Sequence, residues 1–266
     1  MYKNQKLKEF AGNNVLITEF GIAANSIDID SLPDHKKPDQ VRDEIPTLNQ
    51  FGYMKFEWDE FCKEFVDYSK NAKKPVLEIA PAYGWITHRA LEQDIEIIAA
   101  DISKEHLEVL LKDAPKDKLD KLHVYHGKFP DEIDFPNESL GAVLASRLFH
   151  FLKEEEIEAG LKKIYEWLEP NGMFVCSNCS IHHYTVNQGM LDYYKEGEIL
   201  RDKWRGRTKS QAQNTDDLFY PFDMQLLKEV LPEYGFQIEK MKLFDYPSDI
   251  YSKNKQGHIG FVATKI

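Results

Sequence analysis

Two acidic residues and the turn beside one of them are the part of this 266-residue chain best suited to specific chemistry. Val76-Leu77-Glu78-Ile79-Ala80-Pro81-Ala82-Tyr83-Gly84-Trp85 reads as a short apolar strand, a tight turn and the start of a helix. Asp101 closes the next apolar run, Ile95 to Ala100. In an open α/β sheet, ligands bind at the carboxyl ends of the strands, where the strand order reverses. A carboxylate at the end of the second strand accepts hydrogen bonds from both hydroxyls of a ribose. Such turns favour glycine because the backbone bends sharply and comes close to its ligand. Together these features point to an adenosine-type cofactor. A dinucleotide-binding turn would need three glycines where this one has Gly84, and a P-loop needs a Gly-Lys-Ser/Thr that is absent.

Strands alternate with helices around that turn. Apolar runs at 76–80, 95–100, 122–126, 140–145 and 173–176 are separated by helical periodicity over 84–93, 103–113 and 153–168, with Ser103 as a helix cap. The third of these helices stops at Glu169-Pro170-Asn171-Gly172. A further helix over 57–72 precedes the first strand, and another over 223–231 follows. Phe236–Phe244 and Gly257–Lys265 have no helix between them, so they pair antiparallel. The expectation is a doubly wound, mostly parallel seven-stranded α/β sheet ending in an antiparallel hairpin. Residues 1–55 read as an amino-terminal arm or cap and 56–266 as the domain, with 181–220 inserted like a lid.

On these residues the chain resembles the class I S-adenosylmethionine-dependent methyltransferases, a Rossmann-like fold. Their first motif, an acid followed by three small or glycine positions, is matched by Glu78, Ala80, Ala82 and Gly84, and their ribose-binding acid by Asp101. Leu168 to Phe174 is similar to the family's turn before strand five, and Gly260 to Lys265 to its closing hairpin. The resemblance implies S-adenosylmethionine as cofactor, with Glu78, Ala80, Ala82, Tyr83 and Gly84 around its methionine portion. Asp101 would hold the ribose, and Ile102 and Phe129 would line the adenine. Lys128 stands where the family often has an acid for the adenine amino group. Lysine cannot accept from that group, so backbone groups of Lys128 and Phe129 are expected to read the adenine edge. An alanine at positive φ costs about 1–2 kcal/mol. Ala80 and Ala82 are therefore expected to keep ordinary φ, with Pro81 pushing Ala80 toward an extended conformation.

Strand four runs into Ser146-Arg147-Leu148-Phe149-His150, which in this family lies beside the transferring methyl. The resemblance therefore makes Ser146, Arg147 and His150 pocket candidates, with His150 as a base near neutral pH or as plain packing. Arg147 would grip an acidic substrate group or form a structural ion pair. His183 and Tyr184 open the insertion and join the candidate substrate pocket, and Phe51 and Tyr53, just before the first long helix, would fold over the cofactor from the other side or serve as ordinary packing. Cys176-Ser177-Asn178-Cys179 ahead of His182-His183 has a metal-ligand spacing. Cys176 reads as an inward strand residue, however, so this segment is taken as core and pocket wall with no metal.

Composition narrows the partners. A net charge of −11 argues against binding a nucleic acid backbone. No apolar run reaches the ~20 residues that span a bilayer, and three cysteines make no disulfide framework. The expectation is a cytoplasmic enzyme that methylates an oxygen or nitrogen of a small molecule. A non-catalytic or regulatory cofactor-binding protein, or a protein methyltransferase, would share the same fold.

Overall fold

The computed structural model describes residues 15–183, 221–246 and 255–266, together with the backbone of 208–209 and 218–219. The site is set by five parallel strands. These are β5 (Val76–Ile79), β6 (Ile97–Asp101), β7 (Leu122–His126), β8 (Leu140–Ser146) and β9 (Leu168–Cys179). Two more, β12 (Phe236–Phe244) and β13 (His258–Lys265), form the antiparallel end.

The amino-terminal segment adds β1 (Ile17–Thr18) and β2 (Gly21–Ala23) to the opposite edge, where β2 runs antiparallel to β7. The sheet is thus nine-stranded, in the order β1-β2-β7-β6-β5-β8-β9-β13-β12, two strands wider than expected. Strands this short gave no periodic signal of their own. Two small pairs stand apart, β3 (Glu44–Pro46) with β4 (Tyr53–Lys55) and β10 (Thr208–Lys209) with β11 (Leu218–Phe219).

The chain leaves β5 toward β6 and β7, then returns to β8 and moves outward to β9. Right-handed crossovers made in opposite directions put their helices on opposite faces. Helices α2 (Trp85–Glu92) and α3 (Lys104–Asp113) therefore cover one face and α4 (Glu154–Trp167) the other. Helix α1 (Glu60–Ser69) packs on β8 and β9, and α5 (Met224–Glu233) leads into β12. Helix starts follow from side-chain caps. Asp59 accepts from Cys62 N at 2.7 Å, Ser103 from His106 N at 3.2 Å, and Asp223 from Gln225 N at 2.7 Å. The expected stop at 169–172 is present as a bulge inside β9, where the register with β8 jumps from Leu168 to Met173.

Val76, Leu77 and Ile79 of β5 are buried, as are Ile97 to Ala100 of β6 and Ala142 to Ala145 of β8. Continuous apolar strands of this kind are what a doubly covered sheet requires. Packing of α1 on the sheet is close at one point. A Cβ on Gly260 of β13 would lie 2.2 Å from the Phe61 ring. Gly260→Ala is expected to lower stability by about 1–3 kcal/mol through overpacking, read as a lower urea midpoint. Phe61→Leu in the same chain should return part of that loss. An unchanged midpoint for Gly260→Ala would contradict this packing.

Candidate functional site

The cleft opens at the carboxyl ends of β5, β6 and β8, on either side of the point where the strand order reverses. Its floor is the turn after β5. Ala80 N still bonds to Ala100 O at 2.7 Å, but Ala80, Ala82 and Gly84 have φ of 57°, 49° and 81°. The two alanines thus adopt the left-handed conformation that their sequence argued against, and Pro81 does not hold Ala80 extended. The same geometry that a glycine turn would give is built here at a cost of about 1–2 kcal/mol per alanine. Hydrogen bonds hold it in place, Ala82 N to Asp101 Oδ2 at 3.1 Å and Gly84 N to Pro81 O at 2.9 Å. At Gly84 a side chain is excluded twice over, by φ and by Leu110, whose Cγ would sit 2.5 Å from a Cβ.

Asp101 is 4% exposed and is the meeting point of the site. Oδ1 accepts from Ser103 N at 2.8 Å and pairs with His106 Nδ1 at 3.2 Å, while Oδ2 accepts from Ala82 N. A carboxylate has about four acceptor positions, so Oδ2 keeps room for a ligand hydroxyl. The far nitrogen of His106, Nε2, accepts Leu48 N–H at 3.1 Å, which leaves Nδ1 as the donor to Asp101.

The amino-terminal segment is held over the turn by that bond and by Tyr83, whose hydroxyl donates to Pro46 O at 2.8 Å. Residues 43–55 thereby form a cover, and Thr47, Phe51, Gly52 and Tyr53 line the cleft. Phe51 and Tyr53 do face the cleft.

Glu78 is 4% exposed beneath the turn, and its Oε2 accepts from Thr87 Oγ1. Burial pushes its pKa up to about 7 despite that bond. A cationic ligand in the cleft would favour its charged form.

On the far side of the cleft, Asp59 accepts from Cys62 Sγ at 3.2 Å and from the Tyr246 hydroxyl at 2.9 Å, both through Oδ2. Burial and the Asp59 charge hold the Cys62 thiol well above its ordinary pKa, so it stays protonated. Burial does the same to Tyr246, reinforced by Asp59. Lys55 reaches Asp43 at 2.9 Å and Glu44 at 3.2 Å and lies 4.7 Å above the Tyr246 ring. Arg147 NH2 lies 3.8 Å from Glu44 Oε1.

Most sequence candidates converge here. Glu78, Ala80, Ala82, Asp101, Ile102, Lys128, Phe129, Ser146 and Arg147 all line the cleft. Ile102 is 42% exposed, an apolar surface left open inside it. Tyr83 and Gly84 stand behind the turn instead. Lys128 is otherwise engaged, its N–H donating to Glu132 at 2.8 Å and its ammonium pairing with Glu156 and Asp131.

His150 does not line the cleft. Its ring is 2% exposed and packs 4.2 Å from that of Phe151. Burial, with the nearby Arg147, His183 and His258, holds its pKa well below the ordinary histidine value. The packing alternative fits it better than the base. His183 is also buried away from the cleft, and Tyr184 lies outside the described residues, as does most of the 181–220 insertion. Sequence reasoning missed Asp59, Tyr246, Lys55 and His106. Asp59 carried a legible signal as a helix cap, but nothing local brought it to Tyr246.

The folded chain keeps the Glu78 proton up to about pH 7, whereas an ordinary glutamate releases it near 4.5. The native state therefore binds more protons in between, and its stability falls as the pH rises through that window, by about 3 kcal/mol in all. Glu78→Gln should flatten this part of the stability–pH profile in ligand-free protein. An identical slope in the two proteins would contradict the assignment.

Residues 76–172 match the model of a methyltransferase domain. An uncharacterized methyltransferase of Oceanobacillus iheyensis is 22% identical over 191 residues, 71% of this chain and 80% of that protein. A solved S-adenosylmethionine-dependent methyltransferase of Methanosarcina mazei superposes with a TM-score of 0.60 at 13% identity, over 79% of this chain and 99% of that one. Phosphoethanolamine N-methyltransferase 2 of Haemonchus contortus, solved with phosphomonomethylethanolamine and S-adenosylhomocysteine, gives 0.53 at 16% identity, over 76% of this chain and 52% of that one. Residues 76–172 thus match a methyltransferase domain, and the fold of the chain is that of solved S-adenosylmethionine-dependent methyltransferases, consistent with the class I family.

Proposed function

We propose that this enzyme uses S-adenosylmethionine to methylate a nitrogen or oxygen of a small polar molecule enclosed beneath the 43–55 cover. The observation that carries the reading is Asp101, a buried carboxylate at the strand-order reversal with Oδ2 still able to accept, beside a turn in left-handed conformation. When bound, the cofactor supplies an electrophilic methyl on a sulfonium. Asp101 would hold its ribose, with Ile102 and Phe129 along the adenine. Glu78 would offer negative charge to the methionine end.

The protein's remaining task is alignment of the acceptor. Ser146, Arg147, Asp59 and Tyr246 surround the part of the cleft left for it. Asp59 is the carboxylate suited to hold an ammonium, or to take the proton of a hydroxyl, because its Oδ1 carries one bond, from Cys62 N. Buried charge at Lys55 and Glu44, with the half-buried Arg147 beside them, favours a polar acceptor over a lipid-like one. The cover, fastened through Leu48 and Pro46, favours a small molecule over a peptide. No helix among the described residues is long and apolar enough to cross a membrane, and three cysteines that form no disulfide fit a cytoplasmic setting.

Calorimetric titration with S-adenosylhomocysteine is expected to show binding, and Asp101→Asn to weaken it by about tenfold to a hundredfold, the loss of a charged hydrogen bond. An unchanged constant in that variant would remove Asp101 from the site. Asp59→Asn keeps a helix-capping side chain, so it should fold and bind S-adenosylhomocysteine as before. With a hydroxyl acceptor its turnover should drop about 10²–10⁴-fold. Undiminished turnover on a hydroxyl acceptor would exclude Asp59 as the base. Binding without transfer of radiolabelled methyl to any of a broad set of small amines, alcohols and acids would favour the regulatory alternative.

A further inference from the structure

Behind the Tyr246 wall of the cleft, three potential metal ligands meet. Cys179 ends β9, His258 begins β13, and His183 lies in the turn after β9. Cys179 and His258 are direct cross-strand partners, so their side chains leave the same face of the sheet. His183 is brought back to them by a turn in which its N–H bonds to Ser180 O at 3.1 Å and His182 N to Ser180 Oγ at 3.0 Å. One ligand atom from each of the three lies within 4.8 Å of the others. Ligands at Zn–N of 2.0–2.1 Å and Zn–S of 2.3 Å stand about 3.3–3.6 Å apart in a tetrahedron. Side-chain rotation closes that difference. The three residues are 4%, 7% and 1% exposed, so the group is buried rather than a surface coincidence.

A carboxylate stands behind one of these ligands. His258 Nδ1 lies 3.3 Å from Asp245 Oδ1, and Asp245 is itself fixed by Gly257 N at 2.9 Å. A histidine whose Nδ1–H is held by a carboxylate presents Nε2 as the ligand, the usual arrangement behind a metal-bound imidazole. A cysteine thiolate together with the Asp245 carboxylate would balance a divalent charge in this buried position.

We propose that Cys179, His183 and His258 form a site for a divalent, tetrahedral, thiolate- and imidazole-preferring metal ion of the zinc type, backed by Asp245. The donor set disfavours Mg²⁺ and Ca²⁺, which prefer oxygen. Three protein ligands leave the fourth position to water or another group. The site ties β9, its following turn and β13 together directly behind Tyr246, whose ring is 5.0 Å from that of His258. It departs from the ligand set that the sequence suggested. Cys176 is not part of it, because residues three apart on a strand face opposite sides, and Cys176 accepts from Asn178 Nδ2 instead.

The test is a Co²⁺ titration of the full chain, purified without a histidine tag and stripped with a chelator. The wild type is expected to bind about one ion, with the intense visible bands of tetrahedral cobalt and a near-ultraviolet thiolate charge-transfer band, all removed by Zn²⁺. Asp245→Asn should weaken binding about 10–100-fold. Cys179→Ser should abolish the thiolate band, and Cys176→Ser should keep it. A wild-type protein without a tetrahedral spectrum, or with one that lacks the thiolate band, overturns the proposal whatever the variants do. A thiolate band that survives Cys179→Ser overturns it as well.

Discussion

The Asp101 carboxylate is the point on which the site depends. It stands at the end of a buried strand and joins three parts of the chain that lie apart in sequence. It steadies a turn of left-handed alanines through Ala82 N, starts α3 through Ser103 N, and reaches the cover through His106 and Leu48. A carboxylate buried to this degree is stable because each bond it accepts replaces one lost from water. The same set of bonds leaves capacity on Oδ2. On the proposed reading, ligand recognition and the closing of the cleft would thus be coupled at a single side chain.

Charge gives the cleft a direction. Asp101 provides negative potential under the turn, and a cationic ligand would draw Glu78 into its charged form as well, which suits a cofactor carrying a sulfonium and an ammonium. Across from them, Lys55 and Arg147 are matched by Asp43 and Glu44, so the acceptor side is polar and close to balanced. The chain's overall charge of −11 is consistent with this arrangement, although the local placement of the acids is what matters.

Much of this was legible in the sequence. The five parallel strands were visible as buried apolar runs, and β7 and β12 fall at 122–126 and 236–244 as read. The turn after β5 and Asp101 were found because a strand, a turn and an acid leave a local signature. The alanine conformation was misjudged because local cost was weighed without the bonds that offset it, an energy visible only once Asp101 is placed. His150 looked like a base because its residue type and position suited one, and its burial depends on tertiary packing that no local pattern reports. β1, β2, the bonds that fasten the cover and Tyr246 were illegible for a related reason. Short strands and single aromatic residues acquire meaning from what they meet, and Asp59 and Tyr246 are 187 residues apart.

Hydrogen–deuterium exchange on the full chain, with and without S-adenosylhomocysteine, tests the central claim most directly. If Asp101 joins the cofactor turn to the cover, the ligand should slow exchange at 80–84, at 101–106 and at Leu48 and its neighbours together. In Asp101→Asn, at ligand concentrations that saturate the variant, the protection over the cover should be lost or much reduced. Protection of the turn with no change around Leu48, or protection confined to some other part of the sheet, would contradict the account.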